Sequence, residues 1–153
     1  MNKKIIKEWG ENTAYGAKSH YKTADLKRIF LKSLIVTNIL FAIFSILELE
    51  LQLITKIFGV VSLIASILLL IYESQEDENT ISRHMKIGDE YLSIHYKLQE
   101  LFYKESCSDE EFEEVSKKIE RLNKKDKPII NQIAKRMAES AIENKGEMKK
   151  WWK

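Results

Sequence analysis

Two long runs without charge constrain this chain more than any other feature. Residues 33–47 and 57–72 hold no Asp, Glu, Lys or Arg, although 31% of the 153 residues are charged. Taken to their apolar ends they become residues 29–47, "IFLKSLIVTNILFAIFSIL", and residues 53–72, "LITKIFGVVSLIASILLLIY". Each is roughly 20 residues, or about 30 Å as a helix at 1.5 Å per residue. That is the thickness of a bilayer's hydrocarbon core. Each run has one lysine, Lys32 or Lys56, near its start, where a long side chain can reach back to the headgroups. A mean hydropathy of −0.31 conceals this segregation. Residues 73–153 carry 16 basic and 18 acidic side chains, so a greasy third is averaged with a charged remainder.

The stretch that joins the runs, "ILELELQLITK" at residues 46–56, alternates leucine with Glu48, Glu50 and Gln52. It can be read as a half-buried strand, as part of a soluble core helix, or as a membrane-surface turn. A strand needs partners, and no other segment alternates. The chain's five glycines and one proline are also too few for the turns of a β fold. A soluble core helix shows one polar face, whereas Leu34–Leu47 has only Thr37, Asn38 and Ser45 as polar residues. A chain of this size has too little else to wrap two such helices. The reading followed here is an all-α membrane protein, a transmembrane helical hairpin with long cytoplasmic N- and C-terminal helices. Its parts are a cytoplasmic helix over 1–28, membrane helices over 29–47 and 53–72, an outer turn over 48–52 and cytoplasmic helices over 73–153. Seven basic residues precede Ile29 and none lies in the turn, so both termini are expected in the cytoplasm. The turn lacks the Gly, Pro, Asn or Asp that tight turns favour, which argues for a wider bend. No signal peptide is visible, and the single cysteine, Cys107, permits no intrachain disulfide.

Outside the runs the pattern is helical. Ile5, Ile6, Trp9, Thr13, Gly16, His20 and Ala24 make a weak stripe over residues 2–28. Ile81, His84, Gly88, Tyr91, His95, Leu98 and Phe102 step by three and four, a heptad-like seam ending near residue 105. Ser108-Asp109-Glu110-Glu111 reads as a capping box for a helix bearing Phe112, Val115, Ile119 and Leu122. Pro128 suits the first turn of a last helix whose stripe is Ile129, Ile130, Ile133, Met137 and Ala141. Trp151 and Trp152, set between lysines, read either as a membrane-surface anchor or as a loose tail.

Inside the second run Thr55, Gly59, Ser62 and Ser66 fall within an arc of about 60°. Asn38, Ala42 and Ser45 make a similar strip in the first. Small and hydroxylated residues let membrane helices approach and bond; the same groups can line a pore in an oligomer. Packing is the plainer role, and Asn38 in particular needs a partner in hydrocarbon. Neither run contains a carboxylate for a proton relay. No phosphate-binding, dinucleotide, HExxH or CxxC motif is present. His84 and His95 are eleven residues apart, too far to share a metal within one helix, and are expected to bond to neighbouring side chains. Acids and serines around Cys107 do not activate it. No catalytic residue, cofactor or metal is expected; a formal net charge of +2 argues neither for nor against nucleic acid, and no direct nucleic-acid binding is expected.

Several blocks together resemble a known family. Trp9, then Ala14-Tyr15-Gly16-Ala17 and His20-Tyr21-Lys22-Thr23-Ala24, precede the first run. His84-Met85-Lys86-Ile87-Gly88-Asp89-Glu90-Tyr91-Leu92 opens the long helix after the second, and Lys127-Pro128-Ile129-Ile130 comes late. This arrangement resembles the SLATT superfamily, small two-transmembrane-helix effector domains of bacteria. The resemblance implies a homo-oligomer in the bacterial inner membrane that forms a pore or disrupts the membrane, killing the cell in antiphage defence. It implies a partner carrying a nucleotide-signal sensor or a reverse transcriptase, since no sensor domain is recognisable in these 153 residues. Trp9, His20, Tyr21, His84 and Tyr91 match the family pattern and are expected to pack in the cytoplasmic part. The alternative is a membrane-anchored adaptor that docks a cytoplasmic partner and forms no pore.

Overall fold

The computed structural model describes residues 3–46, 52–74, 77–104 and 108–153. Among them are five α-helices and no strand: α1 (Lys3–Ile46), α2 (Gln52–Ser74), α3 (Asp77–Tyr103), α4 (Asp109–Lys124) and α5 (Gln132–Glu143). The wide bend expected at residues 48–52 lies outside the described residues except for Gln52, which opens α2. The chain divides into two compact units, one of residues 1–24 and 82–153, the other of residues 25–81.

The first unit is built on a pairing of α1 with α3. As contacts descend α1 through His20, Gly16 and Gly10, they ascend α3 through His84, Tyr91 and His95, so the two helices run antiparallel. Ile81, His84, Gly88, His95 and Leu98 of the seam are buried. A second row, Ile87, Ile94 and Leu101, is buried beside it. The face is therefore wider than a two-position seam, as a helix covered on two sides requires. The shared core joins Ile6 and Ala14 to Ile87, Ile94, Leu98 and Leu101 of α3, Val115 and Leu122 of α4, and Ile142 of α5. The expected capping box forms: Ser108 accepts from Glu111 N–H at 3.2 Å, and the Glu111 carboxylate reaches back to Ser108 N–H at 3.3 Å.

Three expectations fail at the C-terminal end. The last helix does not begin at Pro128; it begins at Gln132, where the Asn131 side chain caps Ile133 N–H at 2.7 Å. The proline and the residue before it favour extended backbone, and the later Asn offers the missing acceptor. The expected apolar stripe of that helix faces outward. Ile129 is 92%, Ile133 60% and Met137 37% exposed; of the stripe only Ala141 is fully buried, together with Ala134, Ala138 and Ile142, which the stripe did not include. Small alanines let α5 approach the core closely, which a search for large apolar residues overlooks. The two tail tryptophans are neither anchor nor loose end: Trp151 and Trp152 are buried in the core. Gly146, at φ 63°, turns the chain back after α5 so that Glu147 N–H bonds Ala141 O at 3.0 Å.

The second unit contains the apolar runs. Phe58 of α2 sits between Phe41 and Phe44 of α1, with ring centroids 5.3 and 5.6 Å away. Leu53–Ile71 is the one segment among the described residues that is long and apolar enough to cross a membrane, with mean hydropathy 2.5 and only 6% of it buried. The interior helix of a soluble bundle would be mostly covered. Here eighteen large apolar side chains between Ile29 and Ile71 are exposed, among them Val36, Ile39, Ile57, Leu63 and Leu70. If each forgoes on the order of 1 kcal/mol of burial, together they forgo on the order of 20 kcal/mol, more than a typical domain's entire stability. Exposed apolar surface on this scale marks a contact with another apolar surface, protein or lipid.

Candidate functional site

Two polar constellations stand out against the apolar background, one in each unit. In the second unit, one asparagine of α1 meets two serines of α2. Ser62 Oγ donates to Asn38 Oδ1 at 2.7 Å, and Asn38 Nδ2 donates to Ser66 Oγ at 2.9 Å. Ser66 Oγ in turn donates to the backbone oxygen of Ser62 at 2.9 Å. Both ends of the amide are thus satisfied across the helix pair, where an unpartnered amide in an apolar medium would cost several kcal/mol. Ser62 and Ser66 are one turn apart on α2, so their hydroxyls stack on one face and a single planar amide can span both. Ala42, Thr55 and Gly59 are half-buried on the same helices. The side chain of Ser45 lies outside the described residues. Of the seven small or polar residues singled out from the sequence, the structure thus joins Asn38, Ser62 and Ser66 in one cluster.

In the first unit all three histidines are buried, each in a defined role. His20 and His84 face each other through their Nδ1 atoms at 2.9 Å. One must donate and the other accept, so the pair holds a single proton on that bond. Burial, reinforced by the charges of His84 and Lys127, pushes His20 down to about 4. The Tyr91 ring stacks on His20 at 5.8 Å, and Lys127 Nζ donates to the Tyr91 hydroxyl at 2.8 Å. Tyr91 lies so close to Gly16 that a Cβ there would stand 2.9 Å from its ring. The reverse contact occurs one step away: Tyr21 lies over Gly88, where a Cβ would stand 2.8 Å from the ring, and its hydroxyl donates to Asp89 at 2.6 Å. Each helix offers a glycine to the other's tyrosine, with the histidine pair between. Trp9 stacks on Phe112 of α4 at 5.2 Å.

His95 completes the set. Gly10 O can only accept, so His95 Nδ1 donates to it at 2.9 Å, which leaves Nε2 to accept from Trp151 Nε1 at 2.9 Å. Both ring nitrogens are committed in the neutral form, and burial lowers the pKa against the opposing pull of the Gly10 carbonyl. The tail is held further by Glu143, which accepts from Tyr15 and Lys150 at 2.6 Å each and from Lys153 at 2.9 Å. Those bonds, Lys150's first, draw Glu143 down to about 2, and the same carboxylate raises Tyr15 to about 12. Glu147 pairs with Lys18 and Lys22 at 3.0 and 3.4 Å. Among the described residues no three His, Cys, Asp or Glu side chains gather as a metal would require, and Cys107 lies outside them. Sequence reasoning missed Gly10, Trp151 and Glu143. The one available signal was that Gly10, Gly16 and Gly88 all sit within helical pattern, where glycine needs a packing reason.

Compared with known proteins, the chain matches one family model over residues 1–142, described as SMODS and SLOG-associating 2TM effector domain 6. No curated protein and no solved structure matches it.

Proposed function

The chain belongs to the SLATT family of two-transmembrane effector domains, and from that premise we propose that it is a membrane effector that oligomerises and opens or disrupts the bacterial inner membrane. In this reading residues 29–47 and 53–72 cross the bilayer as a hairpin, with both termini in the cytoplasm. Its purpose is abortive infection, the death of an infected cell before phage can spread. The trigger comes from a partner that senses a nucleotide signal or carries a reverse transcriptase, and acts on the helical first unit.

The observation that carries this reading is the Asn38–Ser62–Ser66 cluster on an otherwise apolar, uncovered helix pair. Polar groups in hydrocarbon are costly, and the amide and hydroxyls that pack this pair are also the groups able to line a lumen. In this reading the fully partnered amide belongs to the resting state. Opening exchanges those bonds for water in an oligomeric lumen. Induced expression in bacteria, alone and together with the neighbouring gene's product, is expected to depolarise cells loaded with a potential-sensitive dye. Unchanged potential in cells that hold abundant membrane-inserted protein under both conditions contradicts the proposal.

The closed cluster also suits a second reading, in which the hairpin is an anchor and the first unit an adaptor for a cytoplasmic partner. Gly59→Leu separates the two. It leaves an adaptor working, and it abolishes depolarisation if the α2 face must repack or line a lumen.

A further inference from the structure

Trp151 and Trp152 are buried in the core, yet the segment that carries them is seated mainly by its side chains. Among the described residues, Trp151 N–H and Lys153 N–H bond only within the tail, to Lys149 O and Lys150 O. One ring ties the tail to α1 and α3 together: His95 Nδ1 donates to Gly10 O and its Nε2 accepts from Trp151 Nε1, each at 2.9 Å. Only a neutral imidazole can do both. Trp152 Nε1 is buried without a hydrogen-bond partner among the described residues, so leaving the core returns that donor to water. We propose that residues 147–153 are an acid-released strap latched by neutral His95: a second proton on the ring turns Nε2 from acceptor into donor, breaks its bond to Trp151 and frees the tail while α1 and α3 stay paired. The family match ends at residue 142 and supplies no role for this segment.

Aromatic rings surround the latch: Tyr96, Trp151 and Trp152 lie 5.8, 5.3 and 5.3 Å from His95. The charges that meet the strap hold its edges. Lys7 of α1 donates to Lys153 O at 3.1 Å, Lys18 and Lys22 of α1 pair with Glu147, and Glu143 of α5 pairs with Lys150 and Lys153. Lys150, Tyr15 and Lys153 hold Glu143 at about 2, and Lys18 holds Glu147 below the usual carboxylate range. Neither acid therefore takes up a proton between pH 7.5 and 5, and exposed pairs of this kind hold weakly. Burial keeps His95 neutral against the pull of the Gly10 carbonyl. Once the strap lifts, the ring regains an ordinary value near 6.5, so each pH unit below that favours release about tenfold. The other two histidines, His20 and His84, face each other, Tyr91 and Lys127.

The test is hydrogen exchange of the full chain in detergent micelles between pH 7.5 and 5, with each rate corrected for the pH dependence of free-peptide exchange. The opening constant of fragments from residues 144–153 is expected to rise roughly 30-fold over this range. It is expected to stay above that of fragments from the α1 core around Ala14 and Ala17, which are buried. A tail constant that is flat with pH overturns the inference. So does one equal to that of the α1 fragments throughout, because the tail then opens only when the whole unit unfolds. His95→Gln offers one donor and one acceptor without titrating, and is expected to abolish the rise; an undiminished rise in this variant overturns the inference. His20→Gln leaves the latch intact and is expected to keep the rise. Its loss there places the response in the His20–His84 pair and overturns the inference even where His95→Gln does not fold. The readout is local opening of the first unit, so its outcome is independent of whether cells depolarise.

Discussion

Substituting Gly10 should change the sign of its effect according to what occupies position 151. Gly10 lies inside α1, where alanine is favoured over glycine by about 1 kcal/mol. A Cβ built on Gly10, however, runs into Trp151 Cη2 and stands 2.6 Å from its Cζ2, far inside contact distance. The tryptophan cannot swing away cheaply, because its indole N–H is bonded to His95 and its ring packs against Phe102 and Trp152. Forcing extra volume into such a site costs about 1–3 kcal/mol. Gly10→Ala alone is therefore expected to destabilise by up to about 2 kcal/mol. In a Trp151→Leu background the opposing ring is gone, and the same substitution is expected to stabilise by about 1 kcal/mol. The double-mutant cycle, read as thermal midpoints of the purified chain in detergent, should show a coupling of about 2 kcal/mol, or roughly 4–8 °C. If Gly10→Ala raises the midpoint equally in both backgrounds, the tail does not pack against α1 and the reasoning fails.

Four further outcomes follow from the same contacts. Burial holds the folded-state pKa of His20 at about 4 against an unfolded value of 6.5; the stability this contributes is complete above pH 6.5 and is lost as pH falls toward 4, at up to about 1.4 kcal/mol per pH unit. His95 is lowered too and acts in the same direction; denaturation midpoints across this range should drop less steeply in His20→Gln, and an unchanged slope would remove His20 from the account. Glu143→Gln should return the Tyr15 phenol from about 12 toward its ordinary value of 10, seen as one more tyrosine ionising early in an ultraviolet titration. Ser108→Ala should cost about 1 kcal/mol through the lost capping box, measured by the same thermal midpoints. Asn38→Leu should leave membrane insertion intact and weaken the helix pair by about 1–2 kcal/mol, with depolarisation lost; full depolarisation by this variant would exclude a role for the amide in opening.

What the sequence disclosed and what it hid follow one physical division. Long-range segregation of charge is a one-dimensional property, so the two apolar runs could be read directly. Local chemistry was legible too: the Ser108–Glu111 box involves residues three apart, and the helical spacing of Ser62 and Ser66 is intrinsic to α2. Asn38 announced a need for a partner without revealing which one. Contacts fixed only by tertiary geometry were not legible. Nothing near Gly10 in the chain points to Trp151, 141 residues away, and the lysines flanking the tryptophans suggested solvent or lipid instead of a core. The α5 stripe misled because large apolar residues were weighted over alanines, and the alanines are what allow the close approach. The histidines at 84 and 95 shared a helix face as expected, but their partners, His20 on one and Gly10 with Trp151 on the other, come from α1 and the tail.

The most direct test of the central claim is the reactivity of single cysteines toward a membrane-impermeant maleimide in intact cells. In a Cys107→Ser background, Glu50→Cys is expected to label from outside. Glu11→Cys and Lys149→Cys should label only after the inner membrane is permeabilised. Equal labelling at all three positions before permeabilisation, or recovery of the chain as a soluble species, would contradict two lipid-crossing helices with both termini inside.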